Sequence, residues 1–147
     1  MANSTNGIRK QAKMLELMKK QFPTVKKKFM IMETGKLVEN IVERTPVDTG
    51  RLRAAWRAQD PRIDGDVWVI SCSNNVEYAE FVEYGHRWVR RGFRSIKLED
   101  YNPETDKTGF TKGRFMARDG TEATAKGTGE RWAAHVQKWL DLFSKVK

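Results

Sequence analysis

Thr45-Pro46-Val47-Asp48-Thr49-Gly50-Arg51-Leu52-Arg53-Ala54-Ala55-Trp56 is where the period of the chain changes. Upstream, apolar residues recur at helical spacing; downstream they alternate as in a strand. Pro46 biases Thr45 away from helical angles, so a helix should end there. Asp48 is placed to bond backbone amides two residues on, and Gly50 is free to adopt positive φ. Beyond the corner, Leu52, Ala54, Trp56 and Ala58 alternate with Arg51, Arg53, Ala55 and Arg57. That predicts a half-buried strand over 52–58, and the stretch reads as helix, corner, strand.

Outward from the corner, Ile8, Ala12, Leu15, Met18 and Phe22 form one stripe of an amphipathic helix, with Lys10, Lys13, Lys19 and Lys20 on its other face. Pro23 then predicts an interruption and a fresh helix start. A second helix is expected to run to Arg44 on Val25, Phe29, Met32, Leu37 and Ile41. Gly35 is unfavourable in its middle. Lys26-Lys27-Lys28 reads either as a solvated face or as a docking site for an acidic partner or DNA. The stripe of residues 1–22 is equally open: it covers the core, or it is an arm that packs on a neighbour.

On the other side, residues 60–66 are dense in turn formers, and 67–72 alternates as a returning strand, giving an antiparallel hairpin. Residues 73–75 read as a turn. Residues 76–84 read as a short helix with Tyr78, Phe81 and Val82 inward, Glu77, Glu80 and Glu83 outward, and Gly85 as its C-terminal cap. Within 86–115, Trp88 and Phe93 are interleaved with Arg90, Arg91 and Arg94, which predicts an extended loop or hairpin with strands near 88–98 and 109–115. A short helix is expected at 116–124, then a glycine-rich break at 125–129 that should tolerate change. The last helix, from Glu130, carries Trp132, Val136, Trp139, Leu140 and Phe143 on one stripe, with His135 on its flank.

The expected fold is therefore α+β: a small antiparallel sheet packed against a long N-terminal helix and a C-terminal helix. A chain of 147 residues suits one domain. It divides into a basic arm, 1–22, and a core, 23–147, with the 86–115 loop inserted.

Pro46-Val47-Asp48-Thr49-Gly50-Arg51-Leu52 resembles the signature of the tail-component, or tail-completion, proteins of the tailed-phage head-to-tail connector. Tyr78-Ala79-Glu80-Phe81-Val82-Glu83-Tyr84-Gly85 is similar to that family's Tyr-Ala-x-aromatic-Val-Glu-aromatic-Gly block. Gly113-Arg114-Phe115-Met116-Ala117-Arg118 resembles its late Arg-x-Phe-x-x-Arg region. Order and rough spacing agree from Leu37 to Arg118, and the 86–115 segment is an enlargement relative to typical members. The resemblance implies a virion protein at the neck, between head connector and tail, assembled in the host bacterial cytoplasm. It implies a homomeric ring, six-fold by expectation, contacting neighbouring neck and tail proteins and leaving an axial path for DNA without sequence-specific binding. Pro46, Asp48, Thr49, Gly50, Leu52, Tyr78, Glu83 and Gly85 are then motif residues of structural weight. Trp88, Arg90, Arg91, Phe93, Arg94, Glu77 and Glu80 are candidates for the assembly interface.

Charge fits that reading and one other. The formal net charge is +9. Residues 1–36 hold nine basic and two acidic side chains, 37–85 hold five and nine, 86–118 nine and four, and 119–147 five and four. Two basic segments flank an acidic middle, which suits nucleic acid or the packing of one copy on another. A free-standing basic nucleic-acid-binding module is the competing expectation, and within the same neck a tail-terminator or head-closure role is the alternative to tail completion.

Catalytic patterns are sparse. Asp48-Thr49-Gly50 is also the tripeptide of aspartic proteases, but those place an apolar strand before the Asp and a small residue after the Gly. Here a predicted helix precedes it and Arg51 follows. No phosphate loop, HExxH or paired CxxC occurs. Cys72 is the only cysteine, expected as a small buried residue, so no internal disulfide can form. No cofactor and no metal is expected. No apolar run approaches the ~18 residues of a spanning helix, and a soluble protein made in a cytoplasm is expected, with no membrane partner.

Overall fold

The computed structural model describes residues 2–65, 67–91, 94–96 and 107–144, and their side chains except at 2–5, 87–110 and 144. The chain is α+β, as the pattern predicts. Helix α1 spans Ala2–Arg44, α2 spans Arg51–Ala54, β1 Trp56–Ala58, β2 Arg62–Asp64, β3 Val67–Val69 and β4 Cys72–Asn74. Then come α3 (Ala79–Tyr84), β5 (Gly85–Arg91), β6 (Arg94–Ile96), β7 (Lys107–Lys112), α4 (Met116–Ala125) and α5 (Thr128–Ser144).

Pro23 does not end a helix. It lies inside α1, which is continuous over 43 residues. A proline there removes one backbone donor and crowds the preceding turn. Packing on both sides of it offsets that cost. Phe22 meets Trp132 and Trp139 of α5 at ring-centroid distances of 6.2 and 5.8 Å, and Phe29 meets Trp132 at 5.0 Å. One helix, α5, thus clamps α1 on either side of Pro23.

The buried line of α1 advances in steps of four: Val25, Phe29, Glu33, Leu37, Ile41 and then Thr45 just past its end. Each such step drifts by about 40° around a helix of 3.6 residues per turn, so the line winds from the α5 side to the α4 side. Met32, expected inside, falls off this line and is half exposed. Gly35 faces solvent, where no packing opposes it.

The corner is followed by a helical turn, not by a strand from Leu52. Leu52 and Trp56 are four apart as well as two-period mates, so this short apolar series could not separate the two readings. The Ala54 amide donates to Gly50 O at 2.9 Å, closing the turn, and strand geometry begins only at Trp56. β1 pairs antiparallel with β4, Trp56 opposite Asn74 and Ala58 opposite Cys72. Farther out β2 pairs with β3, Arg62 opposite Val69 and Asp64 opposite Val67. The expected hairpin is present, but as two short ladders, bridged by the Gln59 amide donating to Ser71 O at 3.0 Å. Residues 62–64, expected in the turn, are a strand, and so is the expected turn at 73–74.

The third sheet has the order β6-β5-β7, all antiparallel. The central strand begins at Gly85, directly off α3, with Trp88 opposite Gly109, Arg90 opposite Ser95 and Lys107, and Arg91 opposite Arg94. Phe93 lies outside the described residues.

α1 and α4 cross in close contact because Gly120 has no side chain. A Cβ there would stand 2.9 Å from the Ile41 Cα and 3.0 Å from its nitrogen.

Candidate assembly surface

Three separated segments meet in one small core. Leu52, Val76 and Met116 are buried together, with Ala55, Trp56, Ala79 and Val82 packed around them. Each of the three sequence blocks that stand out in the chain contributes, so their first task is to hold one another.

At the corner, Thr45 is buried. Its hydroxyl donates to Ile41 O at 2.8 Å and accepts Trp56 Nε1–H at 3.0 Å, fastening β1 to the end of α1. Pro46 is exposed and starts the departure from the helix. Gly50 has φ 80°, a left-handed conformation that costs other residues ~1–2 kcal/mol. The side chain that meets a backbone amide here is Thr49, accepting from Arg51 N–H at 3.4 Å. Asp48, expected in that role, is exposed and makes no hydrogen bond among the described residues. Leu52 O accepts Asn74 Nδ2–H at 2.9 Å, and Asn74 Oδ1 in turn accepts the Val76 amide at 3.0 Å.

The second block departs from the expectation at Glu83, Tyr78 and Phe81, while Val82 packs on the core and Glu77 and Glu80 face out as expected. Glu83 points inward and is 6% exposed, whereas Tyr78, Phe81 and Tyr84 are 37%, 54% and 66% exposed. The cause is the start of α4. Phe115, its N-cap residue, offers no capping oxygen. The Glu83 carboxylate supplies one from afar, accepting the Ala117 and Arg118 amides at 2.9 and 3.1 Å. A carboxylate at a helix N-terminus meets both unpaired donors and the positive end of the dipole. The backbones join as well: Arg114 N–H donates to Val82 O at 2.8 Å and Phe115 N–H to Glu83 O at 3.0 Å. Gly113 permits that approach, since a Cβ would collide with Glu83 O and lie 2.5 Å from the Tyr84 carbonyl carbon. Gly85 caps α3 with φ 82°, its amide donating to Phe81 O. Phe115 itself sits at φ 51°, unusual for a bulky residue, with the Arg118 guanidinium 4.1 Å above its ring.

A polar network behind this core was not anticipated. Glu33 is 2% exposed and forms a two-pronged ion pair with Arg131, Nε to Oε1 and Nη2 to Oε2 both at 2.7 Å. Thr128 Oγ1–H adds a bond to Glu33 Oε2 at 3.0 Å. Arg131 also donates to Thr124 O and Lys126 O at 2.6 and 3.0 Å, satisfying carbonyls at the end of α4. The Arg131 hydrogen bonds, ahead of the opposing effect of burial, hold the Glu33 carboxyl below its usual pKa. Glu33 raises that of Arg131. The one available signal was the position of Glu33 in the four-step series between Phe29 and Leu37.

Between α1, β3, β4 and α4 lies an apolar groove of about 670 Å³, walled by Phe29, Leu37, Trp56, Trp68 and Ile70. Its carboxylate, Glu33, is committed to Arg131. Cys72, also on its wall, is half-buried, and burial pushes its thiol pKa up, away from the nucleophilic thiolate. Lys26, first of the lysine cluster, sits 4.8 Å over the Trp68 ring, while Lys27 and Lys28 face solvent. Among the described residues no three His, Cys, Asp or Glu are grouped to hold a metal, and no helix is long and apolar enough to cross a membrane.

Two exposed regions stand out. Residues 6–17 of α1 are exposed throughout, including Ile8 and Leu15 at 63% each. The other is a patch at the corner and α3, holding Val47, Tyr78, Phe81 and Tyr84 with Asp48, Glu77 and Glu80. Val47, Asp48 and Tyr78 border one shallow depression of about 310 Å³ there. Of the interface candidates, Glu77 and Glu80 lie in this patch, whereas Trp88, Arg90, Arg91 and Arg94 are on the β5–β6 strands.

Neither a curated protein nor a solved structure matches the chain. A family model described as bacteriophage HK97-gp10, putative tail-component, matches residues 9–85, which takes in α1 from Arg9 onward, the corner, the hairpin and α3. The chain belongs to this HK97-gp10-like family of phage tail components.

Proposed function

We propose that the chain is a structural subunit of the virion's head-to-tail connector, a neck or tail-completion protein that acts by binding and not by catalysis. Copies form a closed ring, six-fold by the family resemblance, between head connector and tail. The ring leaves an axial path for DNA and makes no sequence-specific contact with it. The observation that carries this reading is the imbalance of apolar surface. Among the described residues, seven hydrophobic side chains are buried and fourteen large ones are exposed. Single exposed apolar residues are ordinary, but clustered ones mark surfaces that a partner covers. Membership in a family of phage tail components supports taking other virion proteins as the class of partner.

The 86–115 segment is the proposed contact to the next component of the neck, with Trp88 and Phe93 as anchors and Arg90, Arg91 and Arg94 setting register. Central aromatics carry most of an interface's energy, while rim arginines steer and orient. The test is electron microscopy of intact particles carrying a labelled copy. Label at the head–tail joint in a fixed copy number supports the reading. Label elsewhere, or a copy number that follows DNA length and falls steeply with salt, overturns it in favour of nucleic-acid binding.

A further inference from the structure

We infer that the N-terminal arm of α1 docks on the corner–α3 patch of a second copy of this chain, head to tail. This rests on the ring reading and names the surfaces that would close the ring.

Ahead of Gln21 and Phe22, which meet Trp132 and Trp139 of α5, the arm is exposed in its own subunit. From residue 6 to residue 24 every α1 side chain is exposed except Met18, which is half-buried. The first fully buried residue is Val25. Ile8 and Leu15 are seven apart and continue the face on which Phe22 meets α5, an exposed stripe that water alone does not stabilise in an isolated helix. The arm is also basic: residues 6–20 hold five Lys or Arg and one Glu. Lys19 lies beside the stripe by helical position, and long lysine stems can run along a docked surface with their charges at its rim.

The patch is complementary in both respects. Val47, Phe81 and Tyr84 are more than half exposed, and Tyr78 adds part of a ring. Segments 45–50 and 75–85 contain four acidic residues and no Lys or Arg. Glu83 is consumed by the start of α4, which leaves Asp48, Glu77 and Glu80 at the surface.

The two surfaces cannot meet inside one subunit. The arm begins α1 and the patch starts three residues after α1 ends, at Val47. A helix of 43 residues at 1.5 Å per residue is ~64 Å long, a rod that holds its ends apart. The complement of each arm is therefore another copy's patch. Because arm and patch are different surfaces, the contact is heterologous, the kind that generates rings when the rotation closes.

Two surface variants test this in the full-length protein: an arm variant, Ile8→Ser with Leu15→Ser, and a patch variant, Val47→Ser with Phe81→Ser. All four side chains are exposed, so circular dichroism and melting should match the parent. Assembly is read by mass photometry and light scattering across concentration. The expected result is that the parent forms closed oligomers and each variant alone is monomeric. Mixed one to one, the variants should give dimers and stop there, because the mixture has one intact arm and one intact patch per pair. Independently of any loss of fold, Leu15→Cys mixed with Phe81→Cys, both in Cys72→Ser, should form a disulfide-linked pair on oxidation. Variants that assemble like the parent, or a mixture that restores full rings, overturn the docking and leave the ring reading standing. A monomeric arm variant beside a normal patch variant means the arms pack on each other, and also overturns it. A parent that never associates removes both readings together.

Discussion

The Glu83 carboxylate accepts the Ala117 amide at 2.9 Å, so a residue of one short helix caps another helix thirty-four positions later. This bond, with its partner to Arg118, joins the second and third motif blocks. Losing a capping oxygen costs ~1 kcal/mol, and burial adds the penalty of two amides left unpaired. Glu83→Ala should therefore lower stability by about 2–3 kcal/mol, and Glu83→Gln by less, since the amide keeps one acceptor. Urea denaturation of both variants checks the order. Equal losses would mean the charge, not the acceptor, matters.

Glu33 and Arg131 make a second long-range pair, with side-chain exposures of 3% and 28%. Arg131→Met strands a buried carboxylate and should cost on the order of 3 kcal/mol, whereas Glu33→Gln with Arg131→Met should recover part of that loss. The pH dependence has a definite sign. The folded pKa of Glu33 lies below its ordinary value of 4.5. Its contribution is present in full above the unfolded pKa and is lost as pH falls through the depressed folded value. Melting temperatures of Glu33→Gln should fall less steeply than the parent's below about pH 4.5.

The glycines separate by mechanism. Gly113→Ala should be the most damaging, because the added Cβ meets backbone of Glu83 and Tyr84 that cannot yield without breaking the α3–α4 joint. Gly50→Ala has open space and pays only for its backbone angle, ~1–2 kcal/mol. The 125–129 break is not as tolerant as its composition suggests: Gly127 has φ 78° with Arg131 Nη1 3.1 Å from an added Cβ, so Gly127→Val should hurt about as much as Gly50→Val. Gly35→Ala, in exposed helix with nothing near, should stabilise by ~1 kcal/mol. Thermal melts of the series rank them.

Asp48→Asn should leave folding unchanged, since the carboxylate is exposed and makes no hydrogen bond among the described residues. A peptidase activity in the parent that disappears in this variant would overturn the structural reading of the corner.

Trp88→Ala, and Arg90, Arg91 and Arg94 together changed to Glu, should each yield folded protein by circular dichroism yet fail to complete particles in a complementation assay. The loss of an anchoring aromatic is expected to exceed ~2 kcal/mol of association, well above a rim ion pair. Unfolded Trp88→Ala protein would assign this strand to the core instead.

Local sequence determined the helices, because a stripe repeated over ten or more residues has one matching period. The α5 stripe from Trp132 to Phe143 and the end of α1 before Pro46 were legible for that reason. So was the hairpin, from turn residues flanked by alternation. Tertiary structure decided whatever turned on a partner distant in the chain. Pro23 stays inside α1 because α5, more than a hundred residues away, grips Phe22 and Phe29. Glu83 points inward because the amides it satisfies belong to α4, and Glu33 is buried because Arg131 comes to meet it. Helical spacing says which side chains share a face. It does not say which face is covered, since that depends on where the unpaired donors and apolar surfaces of other segments arrive.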